Sequence, residues 1–344
     1  MTGLFPRGAL EPLTREIQLP LPIEHCYRRI ASASRFSAFL NSGQDLPFAT
    51  HSFIGCDPHI VFRSTGGRQV IESPAGVRYL EGNPFDTLAD ILSAARIDTR
   101  WDAVPFFAGG IGAFSYDLGR HLERLPSTAA DDLGLPDLFF AVYKTILAHD
   151  KTSGRTWLCS IDYSQPDSPA ARSGAQRCID SALEIIHSPE QASPPHTFRP
   201  PAPPRSNFSH SRYIESVRKC IEYIHAGDIY QVNLSQRFRA SLPVPPLDYY
   251  SMLCNASPAP FSAYMDCGGF RIISSSPERF MKTTGRRVET RPIKGTRPRG
   301  ATPAEDDALA AELLSSEKDN AELAMIVDLE RNDLGRVCEI GSVS

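Results

Sequence analysis

Three short stretches hold residue types that can do chemistry together. The first is the run Thr-Arg-Pro-Ile-Lys-Gly-Thr-Arg-Pro-Arg-Gly at 290–300, where Lys294 lies among Arg291, Arg297 and Arg299 in a loop punctuated by proline and glycine. Neighbouring cations disfavour a further positive charge, so Lys294 can act as a nucleophile or base, and arginines can grip carboxylates through forked hydrogen bonds. A solvated basic loop has the same composition. The second is Ser-Ser-Ser-Pro-Glu-Arg-Phe at 274–280. There Glu278 follows an expected strand and a proline, where it can project into a cleft as a general acid or base, or simply pair with Arg279 on the surface. In the third stretch, 317–322, Asp319 and Glu322 are three apart and so share one face of an expected helix. Carboxylates so placed suit Mg²⁺, and acidic residues in a first helical turn also favour the helix dipole without any metal.

A fourth run, Gly109-Gly110-Ile111-Gly112, superficially echoes a phosphate loop but lacks the following Lys-Ser/Thr and any dinucleotide fingerprint. Glycines that allow close backbone packing are the better reading.

The elements that must position these residues change character along the chain. Before about residue 189, short β-like runs (48–54, 60–63, 69–71, 138–147 and 156–163) are separated by Gly, Pro and Asp turns. One helix is expected at 84–97, with Leu88, Ile91 and Leu92 on one face. Residues 164–173, rich in Ser, Pro and Ala, are expected to be disordered. The proline-dense stretch 189–205 cannot lie in a helix or central strand and is expected to be an extended linker. It divides an N-terminal domain (1–188) from the segment 206–344.

Beyond it, Ile214, Val217, Ile221 and Ile224 recur at helical spacing before Gly227, a C-terminal stop. Residues 229–238 alternate, which predicts a strand with one face of amides and hydroxyls. Gly268-Gly269 marks a hairpin between 261–266 and 270–275. Thr302-Pro303-Ala304-Glu305 is a capping box with Pro at the first helical position, and a further helix is expected over 316–334. The sum is an α+β chain with antiparallel sheets.

Composition excludes several classes. The 344 residues carry a net charge of −4, with no basic excess for nucleic acid or an anionic membrane surface. The longest apolar runs are far too short to span a bilayer, and the N-terminus lacks the apolar core of a signal peptide. The 8 cysteines form no C-x-x-C pair, which favours reduced thiols in a cytosolic protein over zinc or a disulfide framework.

The order and wording of these stretches carry more than any one alone. Gly-Asp-Ile-Tyr-Gln-Val-Asn-Leu-Ser-Gln-Arg-Phe at 227–238, Ser-Pro-Glu-Arg-Phe at 276–280, Thr-Arg-Pro-Ile-Lys-Gly-Thr at 290–296 and Ile-Val-Asp-Leu-Glu-Arg-Asn-Asp-Leu at 326–334 resemble successive signatures of the chorismate-utilising enzymes. The run at 109–120 is similar to that family's as well. Within it, anthranilate synthases typically have Ala where Lys294 stands. Lys294, and Ala-Pro-Phe-Ser-Ala-Tyr at 259–264, resemble the aminodeoxychorismate synthase branch.

The resemblance implies antiparallel sheets packed as a sandwich with flanking helices, as in anthranilate synthase component I, with 206–344 as the N-terminal part of the chorismate-binding catalytic domain. It also implies amination of chorismate to 4-amino-4-deoxychorismate for folate biosynthesis, using Mg²⁺ and ammonia from a glutaminase partner. Lys294 would be the nucleophile at C2 and Glu278 the acid and base at the C4 oxygen. Arg291, Gly295 and Thr296 would bind substrate, Glu322 would ligate Mg²⁺, and Asp319 would support it through water. An anthranilate synthase component I and a non-catalytic binding module are the alternatives.

In the family a further segment follows the position of Ser344. It carries a histidine, an arginine for a substrate carboxylate and a second Mg²⁺ glutamate. The expectation is that this polypeptide alone turns over little or no chorismate. A mass-balanced assay with chorismate, Mg²⁺ and ammonium checks this, and multiple turnovers would overturn it.

Overall fold

The computed structural model describes residues 10–44, 46–97, 101–164, 169–189 and 202–344. In chain order the elements are β1 (Leu13–Ile17), α1 (Ile23–Ala33), β2 (Ala38–Asn41), β3 (His51–Thr65), β4 (Arg68–Ser73), β5 (Gly76–Glu81), α2 (Pro84–Ala94) and β6 (Gly109–Phe114). A 3-10 turn (Tyr116–His121), β7 (Leu138–Asp150), β8 (Thr156–Ser160), α3 (Pro169–His187), β9 (Arg205–Ser206) and α4 (His210–Ala226) follow. The chain ends with β10 (Phe238–Arg239), α5 (Pro246–Ala256), β11 (Phe261–Asp266), β12 (Arg271–Ser276), β13 (Arg279–Thr284), β14 (Arg287–Arg291), α6 (Pro303–Ser315) and α7 (Glu317–Gly335).

The architecture is α+β, and every strand pairing is antiparallel. Strands β3 and β7 pair along almost their whole length, from His51 opposite Asp150 to Ser64 opposite Leu138. Both are rich in β-branched and aromatic residues, which favour an extended, packed backbone. The runs expected separately at 48–54 and 60–63 are therefore one strand. A register shift between Pro58 and Ile60, with Asp57 at φ +51°, bends it. On one side of the bend β8, β1, β2, β11 and β12 extend the sheet, and on the other β4, β5 and β6 do. Because β11 pairs with β2, the sheet takes strands from both sides of the expected linker. Most of that linker, 190–201, lies outside the described residues.

Helices cover this sheet where their apolar faces dictate. Ile23, Tyr27 and Ile30 of α1 pack with Ile179, Ala182 and Ile186 of α3 over Ile54, Leu147 and Leu158. Leu88 and Ile91 of α2 close the other half over Ile60, Phe62 and Val142, while Leu92 stays outside. Tyr143, fully buried, donates its hydroxyl proton to the Phe36 carbonyl at 2.7 Å.

Two expectations are corrected. Residues 169–173, expected to be disordered, form the first turn of α3, whose buried Ala175, Ile179, Ala182 and Ile186 recur on one face. Residues 165–168 of that stretch lie outside the described residues. Alternation at 229–238 produces no strand, apart from Phe238 in a two-residue pairing with Ser206. A strand needs a neighbour to take its backbone hydrogen bonds, and among the described residues 230–235 have none; only Arg237, bonded to Asn207, carries the pairing further.

The hairpin at Gly268-Gly269 and the stop at Gly227 (φ +78°) form as expected. The Thr302 hydroxyl accepts from Glu305 N–H, and Glu305 reaches back to Ala301 N–H, one residue beyond the usual box. All 8 cysteines are free. Among the described residues no helix is long and apolar enough to cross a membrane.

The run at Gly109 is strand β6, lying flat on β7. A Cβ on Gly112 would sit 2.5 Å from the Phe139 carbonyl oxygen and 2.5 Å from the Phe140 ring. Gly112→Ala is therefore expected to destabilise the fold by about 1–3 kcal/mol, measured by urea unfolding, because backbone cannot yield as a flexible side chain can.

Candidate functional site

The chemistry-bearing residues gather where hairpin β13–β14 and the loop after it meet the start of α7. The hairpin is laid against the main sheet by a clasp of charges and rings. Arg279 and Arg291 both pair with Glu289, the latter at 2.8 Å. The Arg291 guanidinium also lies 4.4 Å from the centre of the Phe48 ring, and Phe48 stacks on Phe261 with ring centres 6.0 Å apart. Such cation–π contacts contribute roughly 0.5–1 kcal/mol at exposed sites. Arg291, the expected carboxylate grip, is thus held by Glu289 and Phe48. Beside Arg291, the Thr290 hydroxyl hydrogen-bonds the Glu330 carboxylate of α7.

Glu278 sits between β12 and β13, and its side chain accepts a hydrogen bond from Ile293 N–H at 3.1 Å through Oε1. It does not pair with Arg279. That bond places the expected acid and base one residue from Lys294, and leaves Oε2 without a partner among the described residues. Lys294 is half-buried, and among the described residues its amine makes no ion pair or hydrogen bond. Gly295 follows at φ +73°, a conformation L side chains rarely adopt, with Thr296 exposed beyond it.

The first turn of α7 faces this loop. Ser316 caps the helix by accepting from Asp319 N–H at 3.3 Å. Arg297 donates to Glu312 at 2.7 Å and pairs with Asp319 at 3.2 Å. The Ser316 hydroxyl, then the Arg297 charge, hold the Asp319 carboxyl below the ordinary carboxylate range. Glu322, one turn on, is half-buried and makes no such contact among the described residues.

Mg²⁺ takes one or two carboxylates with water and substrate oxygens, and Glu322 supplies a free one. Among the described residues no group of three His, Cys, Asp or Glu side chains could hold a metal by itself. The donor set therefore suits a hard cation that shares its coordination with a bound substrate.

The structure brings together Glu278, Lys294, Gly295 and Asp319, and adds residues that the sequence reading passed over. Glu312, Glu330 and Phe48 lie 15 to 243 positions from Arg297, Thr290 and Arg291 in the chain, so no local pattern could have marked them; Glu289, flanked by Arg287 and Arg291 at a two-residue spacing, carried the one local hint. A cleft of about 950 Å³ lined by Arg28, Arg29, Asp248, Tyr264, Asp266 and Arg271 lies elsewhere, and none of the site residues lines it.

Comparison with known proteins gives the family and the fold. Residues 36–344 match the family model described as chorismate binding enzyme. Anthranilate synthase component 1 of Thermus thermophilus is 36% identical over 317 residues, covering 92% of this chain and 66% of that protein. Aminodeoxychorismate synthase component 1 of Bacillus subtilis is 34% identical over 319 residues, with the same 92% and 66% coverage. The crystal structure of anthranilate synthase component I from Streptococcus pneumoniae superposes with a TM-score of 0.69 at 26% identity, over 85% of this chain and 63% of that one. Relatives bearing either name are thus similar to nearly the same degree, and the chain spans about two thirds of their length. With residues 36–344 matched by its model, the chain is a member of the chorismate-binding enzyme family.

Proposed function

We propose that the protein is the synthase component of an aminodeoxychorismate synthase, replacing the 4-hydroxyl of chorismate with an amino group from ammonia delivered by a glutaminase partner. The observation that carries this reading is the hydrogen bond from Ile293 N–H to Glu278, which ties an acid and base to the backbone of the residue before Lys294. Lys294 stands where anthranilate synthases typically carry Ala, and only a nucleophile at that position has a use for a covalent route.

In this reading the Lys294 amine attacks ring carbon C2, the ring double bond shifts, and the 4-hydroxyl leaves as water with a proton from Glu278. Ammonia then adds at C4 and the bond to Lys294 breaks. Glu278 takes the surplus proton of the ammonia, and its Oε2, left free by the Ile293 contact, is the oxygen that does so. Glu322 would hold Mg²⁺, which when bound neutralises the ring carboxylate of the substrate.

Without ammonia the reaction should stop at the covalent stage. In a single-turnover experiment, with the chain in excess over chorismate and Mg²⁺ present, it is expected to gain the mass of chorismate less one water, mapped to Lys294 by peptide mass spectrometry. Lys294→Ala should remove the adduct. Added ammonium should discharge it as aminodeoxychorismate. Anthranilate as the product, with no adduct on Lys294, would assign the chain to the other branch and overturn the proposal.

A further inference from the structure

Asp319 is engaged in a way that differs from Glu322, its neighbour on the same helical face. Its carboxylate pairs with Arg297 at 3.2 Å, and Arg297 is tied in turn to Glu312 of α6 at 2.7 Å. The pair is shielded, with the Arg297 side chain 25% exposed and that of Asp319 18% exposed. The backbone at Gly295 comes so close that a Cβ there would lie 2.9 Å from Asp319 Cγ and 2.8 Å from Leu313 Cδ1. The loop bearing Lys294 is therefore fastened on both sides. Ile293 is bound to Glu278 before it, and Gly295 and Arg297 are seated on α6 and α7 after it.

We infer that Asp319 is a positioning residue for Lys294, acting through Arg297 and the Gly295 contact, and that it is not a direct ligand of the metal. A cation at Asp319 would have to stand beside the Arg297 guanidinium, and like charges at that separation repel. Glu322 has no such neighbour among the described residues and is the carboxylate left for Mg²⁺. The reason to hold Lys294 on both sides is geometric: a nucleophile must keep its attack geometry, and a misplacement of about 1 Å can cost about a hundredfold in rate. This inference rests on the reading of Lys294 as the nucleophile.

The test uses the full chain and two readouts that need no turnover. One is the acylation rate of Lys294 by a water-soluble amine reagent, resolved by peptide mass spectrometry against Lys219 and Lys282 in the same sample. The other is Mg²⁺ binding by calorimetry. Asp319→Asn is nearly isosteric, so the fold should persist, and amide exchange in β3 and β7 serves as its control. Asp319→Asn and Arg297→Gln are expected to speed Lys294 labelling and amide exchange at 293–297 by about tenfold, as local opening requires. Arg297→Lys, which keeps the charge, should restore most of the effect. Gly295→Ala should mimic Asp319→Asn. Glu322→Gln should abolish Mg²⁺ binding and leave Lys294 labelling unchanged, whereas Asp319→Asn should leave Mg²⁺ affinity within about twofold.

Unchanged labelling and exchange in Asp319→Asn would overturn the inference, as would a loss of Mg²⁺ binding equal to that of Glu322→Gln. Were the chain to bind no Mg²⁺ at all, labelling and exchange would decide alone. A chain whose Lys294 is anchored in this way but forms no chorismate adduct would refute the proposed function and not the anchoring.

Discussion

The antiparallel pairing of β3 with β7 is the interaction on which the rest of the structure depends. It runs from His51 to Ser64, and each strand is long enough to serve two sheet segments at once. One half of the ladder carries β1, β2, β8, β11 and β12, and the other carries β4, β5 and β6. Successive side chains of a strand point to opposite faces, so the two faces need separate covers. Helices α1, α2 and α3 cover one face, while Phe36, Met265 and Cys267 pack with Phe139 and Tyr143 on the other. The bend between Pro58 and Ile60 lets the two halves turn relative to each other without breaking the ladder.

That ladder positions the candidate site at one remove. β2 pairs with β11, β11 pairs with β12, and the chain leaves β12 directly into Glu278. The next hairpin is a separate two-stranded ribbon, held to the sheet through Arg291 on Phe48 and Arg279 over Phe261. Phe261 is the first residue of β11, and Phe48 lies just before β3. The Lys294 loop, which has no secondary structure of its own, gains its shape from the groups on either side of it. Its geometry is thus set by a few polar contacts of modest individual strength, and large changes in reactivity can follow from single substitutions there.

Charge is distributed accordingly. Arg279 and Arg291 share Glu289, Arg299 is paired with Asp306, and Arg297 bridges Glu312 and Asp319. The basic stretch at 290–300 is therefore not a patch of free cations. Its arginines are neutralised by partners on β14, α6 and α7, while Lys294 and Glu322 stay unpaired among the described residues. A lysine and a carboxylate left free amid paired neighbours are the groups through which such a site can act on a substrate.

The sequence by itself determined the local elements and the family. The Gly227 stop, the Thr302 cap, the hairpin at Gly268-Gly269 and the helix beginning at Ser316 depend on residues within one turn of each other, and all form. The signature runs were legible for the same reason, being contiguous. Tertiary structure alone decided what depends on distant partners. Residues 230–235 alternate like a strand but have no backbone partner among the described residues, whereas 169–173 look unstructured yet enter α3, whose apolar face finds α1 and β8. In the same way Asp319 and Glu322 are equivalent by spacing, and Arg297, brought in from another part of the chain, makes them different. A carboxylate's role follows from the charges packed against it, and those are set by the fold, not by the helix on which it sits.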